Sequence, residues 1–240
     1  MNAIGSMTAE QAKQRLIDAG LVLEDQRQGD FTRGHVSLRV PGDPSHFFMK
    51  PHSWGFGEIT LENIVLCNLA GEKVSGGGRK HSEVFIHSEI YKARPDVMSV
   101  VHAHPTYAVA FSATGKPLLP ISQPGAAFAD GVPYFTDTID LIRSPALGAG
   151  VARALGPHKA VLLRNHGVAV VGASVDECTV LTLMLDNACQ IQLLAEAAGG
   201  PGERFDAEAV AQLHHDITRA EQYGINFEYL RRRALRRAGR

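Results

Sequence analysis

A single-domain α/β/α sandwich around one mixed, largely antiparallel sheet is the architecture that this sequence predicts. Helix and strand signals alternate along all 240 residues, with no internal repeat. The strand-like runs are short, rich in valine and joined by proline- and glycine-containing turns. No shift in composition divides the chain, and 45% hydrophobic residues suffice for one core.

The elements follow in order. Thr8 and Gln11 read as a capping box opening a helix to about Ala19, with Gly20 as its stop. Residues 35–40 and 46–50 read as strands around the turn Pro41-Gly42-Asp43-Pro44, and residues 64–69 continue this section up to a turn at Gly71-Glu72. A helical pattern runs from Ser82 to Ala93 and closes at Arg94-Pro95. Residues 97–104 form a valine-dense strand, and Pro105 then starts a helix. The stretch from Pro117 to Asp140 is rich in Pro and Gly and long for a connection, which points to a functional loop. Ser144-Pro145 opens a short helix to about Leu155. Residues 160–167 and 168–172 read as two strands hinged near Asn165-His166-Gly167. Ser174 and Glu177 cap a long helix to about Ala198, whose apolar stripe is core or subunit contact. Gly199 to Gly202 breaks the chain before a polar helical segment. Residues 8–198 are thus expected as the main body and 199–240 as a helical extension of the same domain.

Composition narrows the function classes. A net charge of −1 gives no global basic field for nucleic acid, and the run Arg231, Arg232, Arg233, Arg236 and Arg237 reads as a solvated helix face. Three widely spaced cysteines form neither a disulfide framework nor a metal knuckle, which suits a reducing cytoplasm. No apolar run approaches the roughly 20 residues of a membrane span. The opening residues lack the pattern of a secretion signal; Gly5-Ser6-Met7 reads as a cloning remnant, with the natural chain starting at Met7. Eleven histidines stand out, because histidine is the commonest metal ligand.

His102 and His104 lie two apart at a strand end, so they face one side and can converge on one ion. His166 ends a second apolar strand, where Gly167 permits close backbone approach or a positive φ. Three histidines with open positions match catalytic rather than structural zinc. Taken singly, each histidine also fits a turn or a solvated strand end. Glu83 lies early in a helix with His87 one turn on; its position alone is equally explained by the attraction of acidic residues to a helix N-terminus. His214-His215 read as surface residues.

These residues resemble the class II aldolase/adducin family, of which L-fuculose-phosphate aldolase is an example. The matching elements are Gly34-x-x-Ser37, Glu83-x-x-x-His87, His102-x-His104 and Asn165-His166-Gly167, covering about residues 8 to 198. The resemblance implies that His102, His104 and His166 bind one divalent ion per subunit, with Zn2+ first and Mn2+ or Fe2+ as alternatives. Glu83 becomes the acid/base that also coordinates the ion in the empty enzyme. It further implies a homotetramer with sites near subunit interfaces and a tyrosine proton donor, for which Tyr134, Tyr223 and Tyr229 are candidates.

The departures from the sugar-phosphate aldolases concern anion binding. Gly34-His35-Val36-Ser37 carries histidine where asparagine is expected, Lys50-Pro51-His52-Ser53 keeps part of a second element, and His81-Ser82-Glu83 loses one of two serines. Gly34, His35, Ser37, His52, Ser53, His81 and Ser82 are the candidate substrate-binding residues. Imidazoles with Arg33, Lys50 and Arg79 nearby suit a carboxylate or an oxygenated ring better than a phosphate. The Gly-His-x-Ser element resembles the branch containing decarboxylases of hydroxylated aromatic and pyridine carboxylates. The expected activity is a metal-dependent carbon–carbon lyase working through an enolate-like species, with decarboxylation of a hydroxylated carboxylate preferred. Retro-aldol cleavage comes next, then an Fe(II) oxygenase, and, from another class, a non-catalytic adducin-like interaction protein.

Overall fold

The structure, a computed structural model, describes residues 7–239. Gly5 and Ser6 of the suspected cloning remnant lie outside the described residues. Thr8 caps α1 (Ala9–Asp25) reciprocally: its hydroxyl accepts from the Gln11 N–H at 3.2 Å, and the Gln11 side-chain oxygen accepts from the Thr8 N–H at 2.8 Å. The helix does not stop at Gly20. That glycine serves packing, because a Cβ there would stand 2.5 Å from both the Phe56 carbonyl oxygen and Ile59 Cδ1, in and beside the 3-10 turn Phe56–Glu58.

β1 (His35–Val40) and β2 (Asp43–Met49) join through Pro41-Gly42, with Gly42 at φ 77°. β3 (Val65–Asn68) turns through Gly71, also at φ 77°, into β4 (Lys73–Gly76). All four residues of β4 are exposed, so it carries no apolar pattern by which to be recognised. α2 (Val84–Ala93), β5 (Ser99–Ala103) and α3 (Thr106–Ser112) follow. The predicted loop Pro117–Asp140 holds two short elements, α4 (Gln123–Ala126) and β6 (Tyr134–Phe135). Then come α5 (Pro145–Leu155), β7 (Ala160–Leu163), β8 (Gly167–Gly172), α6 (Val175–Ala197), α7 (Ala207–Ile217) and α8 (Ala220–Arg237).

The eight strands lie in the order β4-β3-β2-β1-β5-β8-β7-β6; every pairing is antiparallel except β6–β7. Alternation along the strands feeds two apolar layers. Val36, Leu38, Val101, Val168 and Val170 face α1, α3, α6 and α8, whereas Val100, Val161, Ala169 and Val171 face α2 and α5. This is the expected α/β/α sandwich with a mixed, largely antiparallel sheet. By length and composition α6 can cross a membrane, contrary to the reading of the sequence, yet Val175, Cys178, Leu181, Leu185 and Cys189 are buried in the core. The C-terminal segment adds α8 to that layer through Tyr223, Phe227 and Ala234.

In an open helix, Gly20→Ala would stabilise the chain by up to ~1 kcal/mol. Here overpacking reverses the sign, and urea denaturation should show a loss of about 1–3 kcal/mol. A gain would show that the 3-10 turn does not press on α1.

Candidate functional site

β5 lies in the middle of the sheet and delivers His102, fully buried, to the α2 face. Its Nδ1 donates to the Val168 carbonyl oxygen at 2.9 Å. A carbonyl only accepts, so the His102 Nε2 is left as a bare lone pair facing the site. His104 follows the strand and precedes Pro105. The start of α3 just beyond is pinned from α6 by Asp186, whose Oδ1 accepts from the Tyr107 and Ala108 N–H groups at 3.0 and 2.9 Å.

His166 occupies the turn between β7 and β8. The positive φ of this turn falls on Asn165 at 60°, a conformation asparagine tolerates, and the Asn165 N–H donates to Ser112 Oγ at 3.0 Å. Gly167 permits close approach instead: a Cβ there would stand 2.5 Å from the Ala103 carbonyl and 2.7 Å from the His104 ring. The three imidazoles offer nitrogens all within 4.8 Å of one another.

Glu83 is the N-cap residue of α2, but its carboxylate does not cap the helix. Oε1 accepts from the Ile142 N–H at 2.9 Å and lies 3.6 Å from His166 Nε2. Oε2 lies 3.8 Å from His102 Nε2 and 3.8 Å from His35 Nε2. Among the described residues, His102 Nε2, His104 Nδ1 and both His166 nitrogens are buried without a hydrogen-bond partner. Atoms ~2.1 Å from a tetrahedral ion stand roughly 3.4 Å apart, close to these separations, so the residues fit a divalent ion. Burial pushes His102 well below the ordinary histidine pKa, His104 down to about 4, and His166 down as well. The neutral, ligating form is therefore the resting one. Burial acts oppositely on Glu83 and raises its pKa. Beside His104 and His166 opens a cavity of about 560 Å³, lined also by Asp30, Arg33, Ile139 and Asp140.

The candidate substrate residues divide. His35 and His81 are buried next to Glu83, with ring centroids 4.1 Å apart. Ser37 has internal partners: its fully buried hydroxyl lies 2.6 Å from His87 Nδ1 and 2.7 Å from the Tyr91 hydroxyl. Gly34 packs under Phe56, where a Cβ would stand 2.5 Å from the ring. His52 accepts from the Arg79 guanidinium at 3.1 Å and lies 2.6 Å from the exposed Ser53. Ser82 is half-buried beside Glu83 in the chain. Lys50 is no anion partner: its ammonium is fully buried and donates to the Thr32, Pro51 and Trp54 carbonyls. The cavity lining includes none of Tyr134, Tyr223 and Tyr229. The tyrosine beneath the site is Tyr91, which the sequence signals only as the third member of a polar i, i+4, i+8 stripe with Glu83 and His87.

The Class II Aldolase and Adducin N-terminal domain matches residues 14–193. The chain belongs to that family. Decarboxylase NovR of Streptomyces niveus is 37% identical over 175 residues, covering 71% of this chain and 65% of its own. The 4-hydroxy-3-prenylphenylpyruvate oxygenase/4-hydroxy-3-prenylbenzoate synthase of Streptomyces roseochromogenus subsp. oscitans is 37% identical over 185 residues, covering 75% and 66%. The chain thus spans about two thirds of the length of these relatives. The solved L-fuculose 1-phosphate aldolase from Glaciozyma antarctica superposes with a TM-score of 0.84 at 29% identity, over 99% of this chain and 97% of its own.

Six histidines at the site, His35, His81, His87, His102, His104 and His166, are held below the ordinary 6.5, in each case mainly by burial. The unfolded chain binds protons that the native one refuses, so stability is present above 6.5 and lost as the pH falls toward about 4. Glu83, with its raised pKa, has the opposite sign, but it is one group against six. Thermal unfolding of metal-free protein in a pH series should show Tm falling steadily below about pH 6.5. A flat profile down to about pH 4.5 would mean that these rings are solvated.

Proposed function

We propose that this class II aldolase family member is a divalent-metal-dependent carbon–carbon lyase, acting by preference as a decarboxylase of a hydroxylated aromatic or keto carboxylate. One observation carries the reading: three imidazoles present buried, unpartnered nitrogens around a carboxylate whose pKa is raised. His102, His104 and His166 would hold the ion, with Glu83 beside them. When bound, a divalent ion supplies Lewis-acid pull on the substrate's oxygens.

The chain's own groups do the rest. Burial raises the Glu83 pKa, the direction that suits a group delivering a proton. As the bond to the departing carboxylate breaks, carbon dioxide leaves and its electron pair stays on carbon. The Glu83 O–H bond then breaks as a C–H bond forms there. Arg33 and the Glu83-bound Ile142 segment flank the approach, and Arg79 faces His52 on the neighbouring loop. A set of imidazoles and guanidinium groups accepts a carboxylate or an oxygenated ring more readily than a phosphate dianion. The similarity to Decarboxylase NovR supports this version; the fold shared with L-fuculose 1-phosphate aldolase keeps aldol cleavage as the second reading. Zinc is the proposed ion, with manganese or iron(II) next, and iron would admit the oxygenase chemistry named in the other relative. A cytoplasmic homotetramer without nucleic-acid or membrane partners belongs to the same proposal; three free, buried cysteines agree with a reducing compartment.

Metal analysis and product assays test it. His104→Ala should lose turnover and the ion of the three-histidine set while remaining folded. Glu83→Gln should keep its metal and lose about 10²- to 10⁴-fold in kcat, the usual weight of a general acid. Carbon dioxide released from hydroxylated carboxylates identifies the decarboxylase, and an aldehyde from a sugar phosphate identifies the aldolase. Protein that binds no zinc, manganese or iron, and gains no Tm from them, would overturn the enzyme reading.

A further inference from the structure

Two more nitrogens at the site lack partners and belong to none of the three histidines above. His35 Nε2 and His81 Nδ1 are buried and without a hydrogen-bond partner among the described residues, on side chains 0% and 5% exposed. His35, His81 and Glu83 each offer one ligand atom within 4.8 Å of the others. These atoms do not satisfy each other, since His35 Nε2 stands 3.8 Å from Glu83 Oε2.

The direction of the surrounding hydrogen bonds decides what they offer. Tyr91 donates to the Met98 carbonyl, a group that only accepts, at 3.3 Å. The Tyr91 oxygen then accepts from Ser37 at 2.7 Å, and Ser37 accepts from His87 Nδ1 at 2.6 Å. His87 Nε2 is thereby a lone pair and accepts from His35 Nδ1 at 2.6 Å. His35 Nε2, at the end of the chain, is left as a lone pair. His81 Nδ1, buried beside it, likewise has no hydrogen-bond partner among the described residues. With Glu83 ionised, its Oε2 and the His35 Nε2 lone pair face each other at 3.8 Å, with the unpartnered His81 Nδ1 beside them. Like poles this close repel unless a cation lies between them.

We propose that His35, His81 and Glu83 form a second divalent-cation site, separate from the three-histidine set and sharing Glu83 with it. Two imidazoles and one carboxylate are a ligand set for zinc, manganese or iron(II). The spacing also suits a pair of ions. His35 and His102 are register partners on β1 and β5, with ring centroids 4.8 Å apart and Glu83 Oε2 3.8 Å from an Nε2 of each. Two-metal sites hold their ions roughly 3.5–4 Å apart, commonly with a bridging carboxylate. Lys50, the cation nearest this set, has its ammonium turned to three carbonyls, and burial lowers its pKa to about 8. The inference rests on the first metal set only through the shared Glu83.

The test titrates the metal-free full chain with Mn2+ alone, read by calorimetry, by elemental analysis after desalting and by electron paramagnetic resonance. Wild type should take two equivalents, and the doubly loaded form should show the exchange-coupled spectrum of bridged ions. His81→Ala should take one equivalent with an uncoupled spectrum, the retained ion also reporting that the variant folds. His104→Ala should weaken the other equivalent, so failure of the first site and failure of the second are told apart. Tyr91→Phe, which removes the donor to Met98 and keeps the ring's shape, should weaken the second equivalent about tenfold, the lower end of what a lost orienting partner costs. Wild type saturating at one equivalent, or His81→Ala still taking two, would overturn the proposal, as would two equivalents with no coupling.

Discussion

The pairing of β5 with β1 on one side and β8 on the other is the constraint from which the site follows. Register sets His35 opposite His102 and His102 opposite Ala169, so both rings emerge on the α2 face at the centre of the sheet. A slip of one residue in either ladder would turn His102 to the opposite layer. Nothing in the helices alone could restore the cluster. α2 then needs only to lay Glu83, His87 and Tyr91, one turn apart, along this line of rings.

Placing so many polar groups in a hydrophobic sandwich is costly, and the structure offsets the cost unevenly. Ser37, His87 and Tyr91 are joined in a continuous chain, and Lys50 gives its protons to three carbonyls, although burial still lowers its pKa. The nitrogens around Glu83 are not offset in this way. Burying an unpaired polar group costs about 1–3 kcal/mol, and more for a charge. Several together, most of them close to one carboxylate, mark function rather than packing. The neutral state imposed on the imidazoles follows from the same desolvation.

Much of the fold was legible because local signals agreed with the global one. The capping residues Thr8, Ser144 and Ser174 lie where helices begin, and each valine run became a strand. The failures have physical causes. Gly20 reads as a stop when only one chain segment is considered, because the backbone that crosses it comes from Phe56. β4 lacks alternation because both its faces are exposed. In the site, the histidine pair was readable from strand period alone, whereas Glu83 was readable only through the family motif. Ser37 and Lys50 matched the idea of anion binding by residue type, but their partners are internal, which no linear pattern reveals. Asp186 was invisible for the same reason, since it acts across from α6 on the turn after His104.

The sheet order also separates what can form early from what cannot. β1–β2, β3–β4 and β7–β8 are joined by short turns and close at small entropic cost. β1–β5 and β5–β8 join strands more than 55 residues apart, and their closure waits for the chain to collapse. His102, His104, His166 and Glu83 come from segments that meet only through those distant closures. No hairpin or half-formed intermediate presents the full set of donors. An ion held by this set would therefore discriminate between the completed topology and every partial one, and its preference for the native donors would add to native-state stability.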